Sequence, residues 1–475
     1  MYISKLLPEN YYLAVILFFF ILSLRQKADD NIQKTALLLS AARVVVTALS
    51  INQSGILFYG AYQVDVFSQI FKLLISIGFF LVVMLGGNIR GVDNRLKNEY
   101  FMFLTASVFG LSLLVSSIEL LTIFVALEIS SYSLYIVVPF RRGDNYRQQT
   151  EAGMKYLLFG AAASGIMLFG MSYLYGFGHS TYLSDLMQKL PLLIKEPAVV
   201  AALVMFLCGF FFKLALFPLH FWTPDIYEGA ANETSAFVAT LPKLAAVALL
   251  IRLTALAGSD NHVLVNILIV FAVFSMTFGN LAALVQKDIK RLLAYSSIAH
   301  AGYVIIGVLC LNVYGYAAAI YYIGGYLIMN IACFLVVYRI GVDGANVTLD
   351  DLKGLYSRAP LLAFTLAVGA FALAGIPPSI GFTGKFFIFT AALQNQHLWV
   401  VIIAVINTAI SIYYYLNMVR IAYSKEPEGR HPIALNFNTR ILSLFLIIAI
   451  VLTGILPGTF IEIFRNAVKV ILPLY

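Results

Sequence analysis

The stretch GFFFKLALFPLHFWTPD, residues 209–225, sets a single lysine, Lys213, in an otherwise apolar run and follows it five residues later with Pro218. A lysine at the centre of a membrane helix costs roughly 2.5–3.5 kcal/mol on insertion scales. A proline inside a helix removes one hydrogen bond and frees a carbonyl, which hydrocarbon cannot satisfy. Together the two residues read as a membrane span broken beside a polar cavity lined by protein.

The composition agrees. Of 475 residues, 61% are hydrophobic and 11% charged, against about 25% charged in soluble globular chains. The net charge of +8 does not indicate nucleic acid, because the basic residues form short clusters between apolar runs and no basic face interleaved with aromatics. Cys208, Cys310 and Cys333 fall inside apolar segments without CxxC spacing, which favours packing over disulfide, iron–sulfur or zinc chemistry. The opening MYISKLLPENYYLAVILFFFILSL has the charge and apolar run of a signal peptide but no small-residue cleavage site, and is read as a retained first span.

Apolar runs of spanning length lie near 11–24, 35–51, 67–87, 100–118, 120–140, 154–176, 197–220, 235–257, 263–285, 292–312, 315–339, 360–390, 398–422 and 440–463. They predict an all-α polytopic membrane protein of about fourteen helices, each of roughly 20 residues. Basic residues recur in every second loop: Arg25, Lys27 and Lys34; Arg90, Arg95 and Lys97; Arg141, Arg142 and Arg147; Lys287, Lys290 and Arg291; Lys353 and Arg358; Lys425 and Arg430. By the positive-inside rule these loops are cytoplasmic and both termini lie on the other side. Two loops fit the rule poorly, since Thr223–Thr234 is acidic and 176–197 carries Lys189 and Lys195 on the outer side.

A second break, Pro377-Pro378, interrupts the twelfth run. If spans four to eight form one unit and nine to thirteen another, each broken helix is the fourth member of its unit, and five spans per unit turn the second upside down. This predicts the inverted-repeat architecture of transporters, with ion sites at midplane beside discontinuous helices. The expected organisation is residues 1–99 (helices 1–3), 100–257 (first repeat), 258–424 (second repeat) and 425–475 (helix 14). Lys213 precedes its break and Lys385, in GIPPSIGFTGK, follows its own; this opposite placement is taken as a sign of inversion.

Glu128 (FVALEISSYSLY) and Lys243 (FVATLPKLAAVALL) also lie several residues inside apolar runs. The bland reading of such lysines is snorkelling to the headgroups; the sharper one is a proton relay. Burial and a nearby carboxylate act in opposite directions on an amine, and their balance lets it gain or lose a proton near neutrality. Glu128 beside Lys213 is expected to form such a pair, with Lys243 and Lys385 passing the proton on. His220 and His300 (YSSIAHAGY) titrate near neutrality and are candidate bridges, against the alternative of hydrogen-bonded packing histidines. Glu119 reads as an interface residue. GFTGKF lacks the spacing of a phosphate loop, and no HExxH occurs, so no metal or cofactor is expected on this chain.

The blocks KLALFPLHFWTPDIYEGA, QKDIKRLLAYSSIAHAGY, DDLKGLYSRAP and LAGIPPSIGFTGKF closely resemble the subunit N family of bacterial NADH-quinone oxidoreductase, respiratory complex I, over about Glu119–Tyr415. The resemblance implies a fourteen-helix antiporter-like subunit that contributes a proton path driven by quinone reduction elsewhere. NADH, FMN, iron–sulfur clusters and quinone are then expected on other subunits. The implied partners are two related antiporter-like subunits and small membrane subunits, in the lipid bilayer of a bacterial inner membrane. Matched motif by motif, the family's fifth-helix carboxylate falls on Glu128, its broken-helix lysine on Lys213, its central lysine on Lys243, its exit-side lysine on Lys385 and its YSSIAH histidine on His300.

One segment departs from the family pattern: where it commonly reads GAPTPVTAF, this chain has GAANETSAF at 229–237 and gains Glu233. The lack of a long C-terminal extension argues against the most distal antiporter-like subunit. The alternatives are an Mrp-type cation/proton antiporter subunit, the equivalent subunit of a membrane-bound hydrogenase or of an F420H2- or ferredoxin-linked complex, and a structural spacer.

Overall fold

The computed structural model describes residues 2–24, 31–86, 89–142, 146–257, 261–341, 344–425 and 431–472; Arg25, Lys27 and Arg430 fall outside them. The helices are α1 (Tyr2–Lys5), α2 (Leu7–Ser23), α3 (Ile32–Leu49), α4 (Val66–Leu85), α5 (Lys97–Leu114), α6 (Leu120–Val137), α7 (Tyr146–Gly178), α8 (Leu183–Leu193), α9 (Pro197–Leu214), α10 (Trp222–Gly229), α11 (Asn232–Leu256), α12 (His262–Ala283), α13 (Ile289–Val308), α14 (Val313–Ile340), α15 (Leu355–Arg358), α16 (Pro360–Ala374), α17 (Ile380–Gln394), α18 (Leu398–Ala422), α19 (Phe437–Ile455) and α20 (Pro457–Lys469). Among the described residues, 11 helices are long and apolar enough to cross a membrane. With α2, α5 and the broken pair α16/α17 they make the fourteen crossings expected from the sequence.

Two five-crossing units repeat one construction. Glu119 caps α6 by accepting from the Thr122 amide, and Asp288 caps α13 by accepting from the Arg291 amide. Each cap residue also forms an isolated β-bridge to the segment after the third helix of its unit, Glu119 to Tyr182 and Asp288 to Thr348. The first two helices of each unit touch backbone to backbone at a glycine: a Cβ on Gly110 would lie 2.5 Å from the Ser130 nitrogen, and one on Gly279 2.7 Å from the Ala299 nitrogen. The first half of each broken helix closes on a left-handed residue, Ala215 after α9 and Gly375 after α16. The Phe217-Pro218 and Pro377-Pro378 bonds that follow are both cis.

This register corrects one inference. Aligning Ala215 with Gly375 pairs Lys213 with Leu373 and Lys385 with Asp225. Inverting a unit in the membrane leaves chain order within it unchanged, so the two lysines are not symmetry mates, and their opposite placement is no sign of inversion.

Other differences are local. The first crossing begins at Leu7 and α7 at Tyr146, earlier than their hydropathy suggests. The last run divides at Pro457, leaving α20 as a separate helix with one apolar face. A hairpin of β1 (Gly55–Leu57) and β2 (Tyr62–Val64) precedes α4. Thr223–Gly229, read as loop, is part of α10, and its acidic residues are paired within the protein. α11 is the axis of the molecule: from Asn232 through Ala255 its residues are buried, and α4, α14, α13 and α5 pack around it.

Candidate functional site

The two helix breaks organise the polar interior. Beyond Lys213, Ala215 turns left-handed and the Ala215 and Leu216 amides return to the Phe212 and Phe211 carbonyls. The Lys213 side chain, 3% exposed, projects over Tyr156 at 6.0 Å, a ring stacked at 4.9 Å on Trp222. Its ammonium has no hydrogen-bond acceptor among the described residues. Glu128 is the carboxylate that acts on it through space, yet the two do not form one of the direct ion pairs found among the described residues. Glu128 instead accepts a 2.5 Å hydrogen bond from Ser164 on α7.

Lys243, in the middle of α11, donates to the carbonyl of Ser297 at 3.2 Å and also to its hydroxyl. The same hydroxyl meets the Tyr227 hydroxyl at 3.3 Å, and the Tyr326 ring lies 5.9 Å from the ammonium. His300, one turn along α13 from Ser297, is held at both ring nitrogens, Nδ1 2.6 Å from the Tyr322 hydroxyl and Nε2 3.0 Å from that of Tyr415. It stands within electrostatic reach of both Lys243 and Lys385.

Lys385 reaches back across the second break. Its ammonium donates to the carbonyls of Leu373 and Ala374, each at 3.1 Å. These are the last carbonyls of α16, which a continuous helix would have satisfied. Tyr303 lies 4.8 Å beneath the ammonium, and its hydroxyl joins Thr408 at 3.2 Å and Asn280 at 3.4 Å. Glu128, Lys213, Lys243, His300 and Lys385 are all buried. His220 is buried too, but it lies among Phe217, Phe221 and Phe278 at 4.5–5.4 Å, and no polar contact joins it to the lysines among the described residues.

At the end of the bundle reached by α10, a network fixes the short helix. Asp225 accepts from Lys155 at 2.6 Å and from Arg291 at 2.8 Å, and Arg291 also meets Glu228 at 2.7 Å. Burial alone would raise the Asp225 carboxyl pKa; the hydrogen bonds from Lys155 and Arg291 outweigh it and hold the group below the usual carboxylate range. Arg141 donates to the Glu228 carbonyl at 2.7 Å and the Gly344 carbonyl at 2.9 Å. Lys290, counted above as a loop residue, is buried and donates to the Ala230 carbonyl at 2.8 Å. In the divergent GAANETSAF segment, Glu233 accepts from the Gly91 amide at 3.3 Å, tying this turn to the loop after α4.

A second group of charges escaped the sequence reading: Glu9, Arg43, Asp65, Lys72 and Arg252, all buried. Lys72 in IFKLLISIGFF, Arg43 in AARVVVTAL and Arg252 in LLIRLTAL meet the criterion that singled out Lys213.

The family model described as "NADH:quinone oxidoreductase/Mrp antiporter, TM" matches residues 117–411. NADH-quinone oxidoreductase subunit N 2 of Opitutus terrae is 47% identical over 470 residues, covering 98% of each chain. A chain of respiratory complex I from Thermus thermophilus superposes with a TM-score of 0.82 at 32% identity, covering 96% of this chain and 98% of that one. A chain of the Mrp complex from Dietzia sp. superposes at 0.87 but with 18% identity, covering 99% and 97%, and so shares the fold alone.

Proposed function

This chain belongs to the NADH:quinone oxidoreductase/Mrp antiporter family, among the subunits N of NADH-quinone oxidoreductase, and on that premise we propose that it carries protons through its midplane as quinone is reduced elsewhere in the complex. The observation that carries the reading is the row of buried titratable groups beside two broken helices, with His300 held by Tyr322 and Tyr415 within electrostatic reach of Lys243 and Lys385. Hydrocarbon excludes such groups unless protein or water receives them.

In this reading Glu128 and Lys213 load the path, with Ser164 setting the carboxylate's orientation. Lys243 and His300 pass the proton between the two units, Tyr322 and Tyr415 fixing the imidazole, and Lys385 delivers it. His220, ringed by aromatics, stays a weaker candidate bridge. The units run over 100–257 and 258–424, preceded by helices 1–3 and followed by helix 14. The basic loops face the cytoplasm, so both termini lie on the non-cytoplasmic side of a bacterial inner membrane. Electron transfer belongs to partner subunits bearing flavin, iron–sulfur clusters and quinone; this chain acts as one subunit of a translocase beside related antiporter-like and small membrane subunits.

The test is Lys385→Arg in the assembled complex. Arginine keeps the charge but does not deprotonate in a protein, so quinone reduction should continue while fewer protons are pumped per electron pair. An unchanged ratio in a normally assembled complex would remove Lys385 from the path. Purification from the native membrane separates the antiporter alternative, which lacks flavin and iron–sulfur partners.

A further inference from the structure

The second charge group lies at the end of the bundle where α2 and α4 begin. Asp65 and Arg252 are joined by two bonds of 2.9 and 3.0 Å, which leave Arg252 Nε without a partner among the described residues. The remainder is less complete. Lys72 pairs with Glu9 Oε1 at 2.8 Å, and the Tyr62 hydroxyl donates to the same oxygen at 3.0 Å. Among the described residues, Glu9 Oε2 has no hydrogen-bond partner, nor do Arg43 Nε and Nη1, the Tyr12 hydroxyl or either amide atom of Gln69. Arg43 lies 4.0 Å over the Tyr12 ring and donates to Ser112 at 3.2 Å. Buried polar atoms are hydrogen-bonded in nearly all proteins, to ordered water where the chain supplies nothing. So many unpartnered atoms around one ion pair call for water beside it.

The charge group has depth. Asp65, Gln69, Lys72 and Ser76 recur at helical spacing on one buried face of α4. At 1.5 Å per residue, Lys72 lies about 10 Å inward from Asp65, and Lys243 about 14 Å inward from Arg252 on the antiparallel α11. Because Asp65 and Arg252 are bonded, the two lysines come within about 4 Å of the same depth. Glu9, in the first turn of α2, and Tyr62, in the hairpin, lie at the end of the bundle where those elements begin, and both are buried.

We propose that Glu9 and Lys72 form a proton-release station at the non-cytoplasmic end of the bundle. Lys72, protonated from the midplane, passes one proton to Glu9, leaving an amine and a carboxylic acid. Glu9 gives that proton to external water and returns to carboxylate, and the amine is protonated again from within. Arg43 adds a neighbouring positive charge, Tyr62 orients the carboxylate, and the Asp65–Arg252 pair anchors α4 to α11. The proposal rests on the midplane relay and supplies it with an outlet.

The competing account is a static clamp between α2 and α4, and Lys72→Arg separates the two because it keeps the ion pair but not the exchangeable proton. In vesicles of the assembled complex, this variant should reduce quinone normally while losing this subunit's share of the pumped protons. The neutral pair Glu9→Gln/Lys72→Met should lose the same share. A parental ratio in either assembled variant overturns the proposal, and so does failure of both to assemble, which marks a clamp. Lys385→Arg is measured in parallel: if it too pumps normally, the relay has failed; if it alone is impaired, only the outlet has.

Discussion

The Lys243 ammonium donates to both oxygens of Ser297, and Ser297 follows its helix cap Asp288 by the same nine residues that separate Glu128 from its cap Glu119. A neutral hydroxyl thus occupies in the second unit the position a carboxylate holds in the first. Ser297→Asp should give Lys243 a charge-assisted bond of about 1.5–3 kcal/mol and slow its proton release roughly ten- to a hundredfold. Pumping by vesicles of the assembled complex measures this, and a parental rate would show that Lys243 does not limit the path.

Lys213 and Lys385 differ in what they hold together. Lys385→Met leaves the Leu373 and Ala374 carbonyls buried without their donor, at a cost of about 1–3 kcal/mol each, and should lower the unfolding temperature in detergent. Lys213→Met removes an ammonium that has no acceptor among the described residues, so it should leave stability unchanged or raised while pumping is lost. Equal destabilisation by the two substitutions would contradict the roles drawn from their contacts.

Arg252→Leu should be among the most disruptive single changes, because it strands the buried Asp65 carboxylate; breaking a buried pair costs about 3–5 kcal/mol. Asp65→Ser in the same chain removes the stranded charge yet keeps a side chain able to cap α4, and should restore part of the loss. The amount of subunit assembled in membranes reports both effects, and a single variant assembled at the parental level would count against the pair.

The Asp225 network should be acid-labile. Its carboxyl is held below the usual carboxylate range by Lys155 and Arg291 despite burial, so its contribution is fully present above the unfolded value of about 4 and is lost as pH falls through the lowered one. Compared with Asp225→Asn, the native chain should hold a stability advantage at pH 7 that shrinks only in acid. Thermal unfolding across that range checks the sign, and an advantage growing on acidification would reverse it.

Much of the fold was legible because lipid makes its rules strict. Apolar length gave the crossings, alternating basic loops gave an expected orientation, and Pro218 and Pro377-Pro378 marked the breaks. The same cost argument picked out Glu128, Lys213, Lys243 and Lys385, and applied evenly it would have reached Arg43, Lys72 and Arg252. Other relations had no linear signal. Lys243 meets Ser297 and His300 meets Tyr415 across long separations in sequence, and only tertiary packing decides such contacts. Glu9 was hidden for a different reason: near a chain terminus, a carboxylate reads as a surface group until the hairpin and α4 are seen to close over it.

The two units share caps, bridges, glycine crossings and broken helices, but their equivalent positions are furnished differently: Glu128 faces the register of Ser297, Lys213 that of Leu373, and Asp225 that of Lys385. Matched halves with matched side chains would look the same to a traveller from either end. Duplicated architecture with unlike furnishing gives the passage a sense of direction, and makes each half a built-in control for the other.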